Sequence, residues 1–79
     1  MGLLKEEIEN LIEEANKGNF EAQTNLGDCY FYGDGVSKNY EEAVKMYTLA
    51  ANQNYAPALK KLGNCYYNGD VVKQDFPEA

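Results

Sequence analysis

Leu4, Ile8, Leu11, Ile12 and Ala15 recur at three- and four-residue intervals, with Glu6, Glu9 and Glu13 on the opposite side. That period predicts an amphipathic helix over 3–16, ended by Gly18 in a left-handed turn. A second helix is expected from about Phe20 to Tyr32, burying Ala22, Leu26, Cys29 and Tyr30 and stopping at the glycines of Gly33 to Gly35. Asn39 and Glu42 have the spacing of a capping box, in which each side chain satisfies the other's free amide. They open a third helix with a buried arc of Tyr40, Ala43, Val44, Tyr47, Ala50 and Ala51. Asn54 closes it, being the next best residue after glycine for positive φ. Pro57 suits the first turn of a fourth helix, expected to reach about Tyr67 and to end at Gly69. Asp75 with Glu78 announces a fifth helix at Phe76, and one turn of it precedes Ala79, as expected of a piece of a longer array.

The pattern is also a repeat. Ala22 to Ala43 laid over Ala58 to Ala79, an offset of 36, gives ten identities in 22 positions, among them Leu-Gly-x-Cys-Tyr and a following Gly-Asp. Self-similarity at this spacing predicts stacked supersecondary units, each too small to bury its own apolar face. The 79 residues read as one domain: a capping helix over 1–18, a whole unit over 19–54, and a second unit over 55–79 truncated in its second helix. Shifted by the same offset, Glu7, Asn10, Glu13 and Glu14 of the first helix stand where the third has Ala43, Met46, Leu49 and Ala50. One face of the first helix stays apolar and the other turns polar, as a terminal repeat requires. Those glutamates read either as a solvated edge or as an acidic docking site.

Charge narrows the partners. Thirteen acids stand against seven lysines, the net charge is −6, and no arginine is present to grip phosphate or guanine edges. Nucleic acid is therefore not expected as a partner. Five acids crowd the first 14 residues, which argues against an anionic membrane surface. Lys5, Glu6 and Glu7 interrupt any signal-like core, no long apolar run follows, and Glu6 occupies the place where a myristoylation site at Gly2 would want Ser or Thr. The expectation is a cytoplasmic protein.

Reaction chemistry is sparse. Histidine is absent, so neither a Cys-His nor a Ser-His couple is available, and no glycine-rich phosphate loop opens a helix. Cys29 and Cys65 occupy equivalent positions of the two units. Matched sites on neighbouring helices sit roughly 8 to 10 Å apart, farther than the ~7 Å a disulfide spans, so two buried thiols are expected. Without further Cys or His they supply too few soft ligands for zinc. Asp34 and Asp70 in the Gly-Asp loops read as turn residues or, less specifically, as calcium ligands, though each loop offers a single acid. No catalytic residue, cofactor or metal is assigned.

The order Ala22, Leu26-Gly27, Tyr30, Gly33, Gly35-Val36, Ala43, Tyr47, Ala50-Ala51 and Asn54 resembles the Sel1-like repeat. The tetratricopeptide repeat shares several of these markers, but its units run to about 34 residues and lack the Gly-x-Gly-Val loop. The chain departs from the pattern at Val71, where the loop's second glycine belongs, at Asn54, which replaces the inter-repeat glycine, and at Tyr47, near a position often held by tryptophan. The resemblance implies an all-α, right-handed α/α superhelix of stacked antiparallel helix pairs. Its first helices would line a concave surface that binds a protein or peptide, making the chain an adaptor or scaffold module. Matching on Leu26-Gly27 and Leu62-Gly63 carries that surface to Thr24, Asp28, Phe31 and Tyr32, then Lys60, Asn64, Tyr67 and Asn68.

Helical geometry independently sets Thr24, Asp28 and Phe31 close to the direction opposite Leu26. Phe31 and Tyr67 would then be outward anchors for a partner or, on the alternative reading, rings packing on one another across neighbouring helices. Two other functions remain in view. Some secreted, cysteine-rich relatives are thought to hydrolyse amides or β-lactams, but they pair cysteines within each unit and this chain has one per unit. The other is structural, a self-associating solenoid piece joined through its uncapped C-terminal edge.

Overall fold

In the computed structural model, residues 4–68 are described, and they form four helices: α1 (Lys5–Asn16), α2 (Phe20–Tyr32), α3 (Tyr40–Ala51) and α4 (Ala56–Asn68). No strand occurs among the described residues. The expected fifth helix, the Gly69 stop, Asp70 and Val71 lie outside them.

Local chemistry sets the boundaries. Asn19 caps α2, its Oδ1 accepting from the Ala22 amide at 3.0 Å, and Gly33 ends that helix at φ 73° with its amide turned back to the Cys29 carbonyl. Asn54 takes the left-handed turn between α3 and α4 at φ 64°, and Gly18 does the same between α1 and α2 at φ 97°. Asn39 Oδ1 accepts from the Glu42 amide at 3.1 Å, so α3 has its cap. The reciprocal half of the expected capping box is replaced. The Asn39 amide donates to the Tyr30 carbonyl at 2.8 Å, and the Glu42 carboxylate lies 4.0 Å from Lys45. A tertiary bond has displaced a local one.

Packing is sequential: α1 on α2, α2 on α3, α3 on α4. Ile8 and Ala15 of α1 meet Ala22, Leu26 and Cys29 of α2. Ala43 and Tyr47 of α3 meet Cys65 of α4, with Phe31, Val44 and Leu62 packed against them. Ala50, Ala51 and Ala58 close the far end, where small side chains let α3 and α4 approach. Leu4, expected in the core, is 66% exposed. It stands at the N-cap of α1, before the helical period begins, with its amide donating to Glu7 Oε1 at 2.9 Å. Tyr40, at the matching end of α3, is also partly exposed.

A buried glutamine ties the stack together. Gln23 Nε2 donates to the Ala15 carbonyl at 3.1 Å, and Gln23 Oε1 accepts from Gln53 Nε2 at 3.0 Å. One side chain thereby joins the end of α1, the start of α2 and the turn after α3. Both polar ends are satisfied, as burial demands. The rings of Phe20 and Tyr55 lie 4.6 Å apart at the same end, bringing the starts of α2 and α4 together.

Candidate protein-interaction face

α2 is packed on two sides, and this decides which candidates reach solvent. Ala22, Leu26 and Cys29 face α1. Gly27 faces α3 so closely that a Cβ there would stand 2.6 Å from Tyr47 Cε1. Thr24, expected to point outward, is 4% exposed, and its hydroxyl donates to the Phe20 carbonyl at 2.9 Å. The expectation failed because it gave α2 a single buried stripe opposite solvent, whereas the helix is enclosed by both neighbours. Thr24 therefore leaves the candidate surface.

Phe31 is only half-buried. Its ring lies 4.9 Å from Tyr32 and 5.3 Å from Tyr40, and it packs against the Ala43, Tyr47 and Cys65 cluster. The rings it meets are those of Tyr32 and Tyr40, and the expected pairing with Tyr67 does not form, Tyr67 being exposed. Tyr32 is 66% exposed at the end of α2. Asn64 and Lys60 are exposed on α4, Tyr67 is 89% exposed, and the side chain of Asn68 lies outside the described set.

Asp28 links the two first helices. Tyr47 Oη donates to Asp28 Oδ1 at 2.6 Å, and Lys61 Nζ lies 3.1 Å from the same oxygen. Phe31, Tyr32, Lys61 and Asn64 rim a cleft of about 80 Å³ that has Tyr47 and Cys65 as its floor. Sequence reasoning missed Lys61 and the Tyr47 hydroxyl. A signal was available, since Lys61 lies one turn before Asn64 and matches the exposed Asn25 of α2.

The environment suppresses reactivity. Burial, then the nearby Asp34 and Asp28 carboxylates, push the Cys29 thiol above its usual range, so it stays protonated at neutral pH. Burial and the Asp28 hydrogen bond likewise raise Tyr47 well above an ordinary tyrosine. Cys29 and Cys65 are both buried and form no disulfide. Among the described residues no three Cys, Asp or Glu side chains cluster as metal ligands, and no helix is long and apolar enough to cross a membrane.

The Sel1 repeat family model matches residues 20–55 and 56–79. A crystal structure of a Sel1 repeat protein from Oxalobacter formigenes superimposes with a TM-score of 0.79 at 42% identity, covering 82% of this chain and 27% of that one. This chain thus spans little more than a quarter of that protein's chain. No curated protein matches it. Two consecutive matched units and a shared helical solenoid place the chain in the Sel1 repeat family.

Proposed function

We propose that the chain is a protein-interaction module that reads a protein or peptide along the exposed side of α2 and α4. Sel1 repeats generally mediate protein–protein interaction, and they are typically non-catalytic. The observation that carries the reading is the exposed Tyr32 ring at a cleft shared by both first helices, with the Asp28–Lys61 pair and the Asn64 amide beside it. An aromatic with a polar tip, set next to donors and acceptors, suits an extended or helical peptide segment. Phe31 supports the ring of Tyr32, and Lys60 and Tyr67, one turn either side of Asn64, are exposed with it on α4.

Reading a partner needs no reactive group, and the protonated Cys29 fits that role better than a hydrolytic one. The test is affinity capture with the chain on extract of its source cell, followed by titration of the captured protein. Tyr32→Ala should weaken that complex about tenfold or more without changing helical content. Equal affinity for Tyr32→Ala would remove the cleft from the proposal.

A further inference from the structure

The cleft between α2 and α4 has a size and a charge state that select what can enter it. Phe31 and Tyr32 wall it from α2, Lys61 and Asn64 wall it from α4, and Tyr47 of α3 with Cys65 forms the floor. Its shape is therefore set between helices that are all described. The volume is about 80 Å³. A dry cavity of about 150 Å³ holds benzene, so roughly three non-hydrogen atoms fit in this one. The floor is fixed. Tyr47 lies so close to Gly27 that a Cβ there would stand 2.6 Å from its ring, and its hydroxyl donates to Asp28 at 2.6 Å.

The ionic groups beside the cleft already answer one another. Lys61 Nζ lies 3.1 Å from Asp28 Oδ1, the oxygen that also accepts from Tyr47. A partner's carboxylate brought to Lys61 would stand against Asp28, on a chain whose net charge is −6. A partner's ammonium or guanidinium brought to Asp28 would stand against Lys61. Either charge would also be desolvated over the Tyr47 ring and the buried Cys65, a cost that the already paired Asp28 and Lys61 offset poorly. An uncharged group meets neither penalty.

Resting on the interaction reading above, we infer that the cleft takes one small apolar side chain, of the size of valine or proline, from an extended segment of the partner protein. The side-chain carbons of either residue match the space, with the rings of Phe31 and Tyr32 along one wall. The main chain of the segment then crosses the rim, where the exposed Asn64 carboxamide offers both a donor and an acceptor. That pair complements a backbone C=O and N–H. Alanine leaves the floor uncovered, while leucine or an aromatic ring is too large for a floor that does not move. Affinity comes from shape and main-chain hydrogen bonds and is little screened by salt.

The test exposes the full chain, immobilised, to acetylated and amidated nonapeptides with uncharged flanks and three randomised central residues. Valine or proline should be enriched at one central position of the captured peptides, and their affinity should change less than about twofold between about 50 and about 500 mM salt. Tyr32→Ala should weaken the capture about tenfold. Lys61→Gln leaves Asp28 without its lysine, so the same position should now select lysine or arginine. Circular dichroism checks that both variants keep the helical content of the unaltered chain. Capture that needs Tyr32 but selects charged, polar or aromatic residues would overturn the assigned side chain and leave the interaction face in place, and so would an unchanged selection by Lys61→Gln. No capture of any peptide would likewise overturn it, with the extract experiment above still deciding the face. Capture undiminished by Tyr32→Ala would remove the cleft itself, and the side chain with it.

Discussion

At the scale of single residues, Tyr47 does most to join α2 to α3 and, through Asp28 and Cys65, to α4. Its ring fills the space left by Gly27, and its hydroxyl donates to Asp28, which also holds Lys61. Tyr47→Phe keeps the ring and should cost about 1 kcal/mol, because Asp28 retains its lysine. The same residue sets a pH dependence. Both Cys29 and Tyr47 have folded values raised above their ordinary 9.0 and 10.0, so the folded state holds these protons more tightly than the unfolded chain. Their contribution is full below about pH 9 and is lost as pH rises beyond those ordinary values. Urea unfolding between pH 7 and 11 should show stability flat to about pH 9 and falling above it, with a shallower fall in Tyr47→Phe. A decline confined to acid pH would contradict the assignment.

At the scale of elements, helix ends were legible and helix surroundings were not. Gly18, Gly33, Asn39 and Asn54 act on their own neighbours in the chain, so residue type and spacing sufficed to place them. Thr24 depended on how many helices enclose α2, which one helix's period does not encode. Tyr32 and Asn64 were candidates from the family resemblance and both are exposed, whereas the link of Lys61 to Asp28, 33 positions away, depended on how α4 lies beside α2. The α3 cap shows the same division. Asn39→Ala should cost about 1 kcal/mol by freeing the Glu42 amide. Glu42→Ala should cost no more than about 0.5 kcal/mol, because the Asn39 amide already bonds to Tyr30 and the Lys45 pair is exposed. Equal losses in chemical denaturation would mean that the reciprocal box operates in solution after all.

At the scale of the molecule, like residues of the two units occupy like places in the stack but have unequal surroundings. α2 is enclosed between α1 and α3; α4 has a neighbour on one side among the described residues and presents Leu59, Lys60 and Tyr67 to solvent. That inequality underlies the exposed face offered to a partner. It is tested most directly by placing one alanine in each Leu-Gly pair and measuring stability in urea at dilute concentration. Gly27→Ala, forced against a rigid ring, should lose about 1 to 3 kcal/mol. Gly63→Ala, in open space on a helix, should lose nothing and gain up to about 1 kcal/mol. Equal effects at the two glycines would contradict the stacking described.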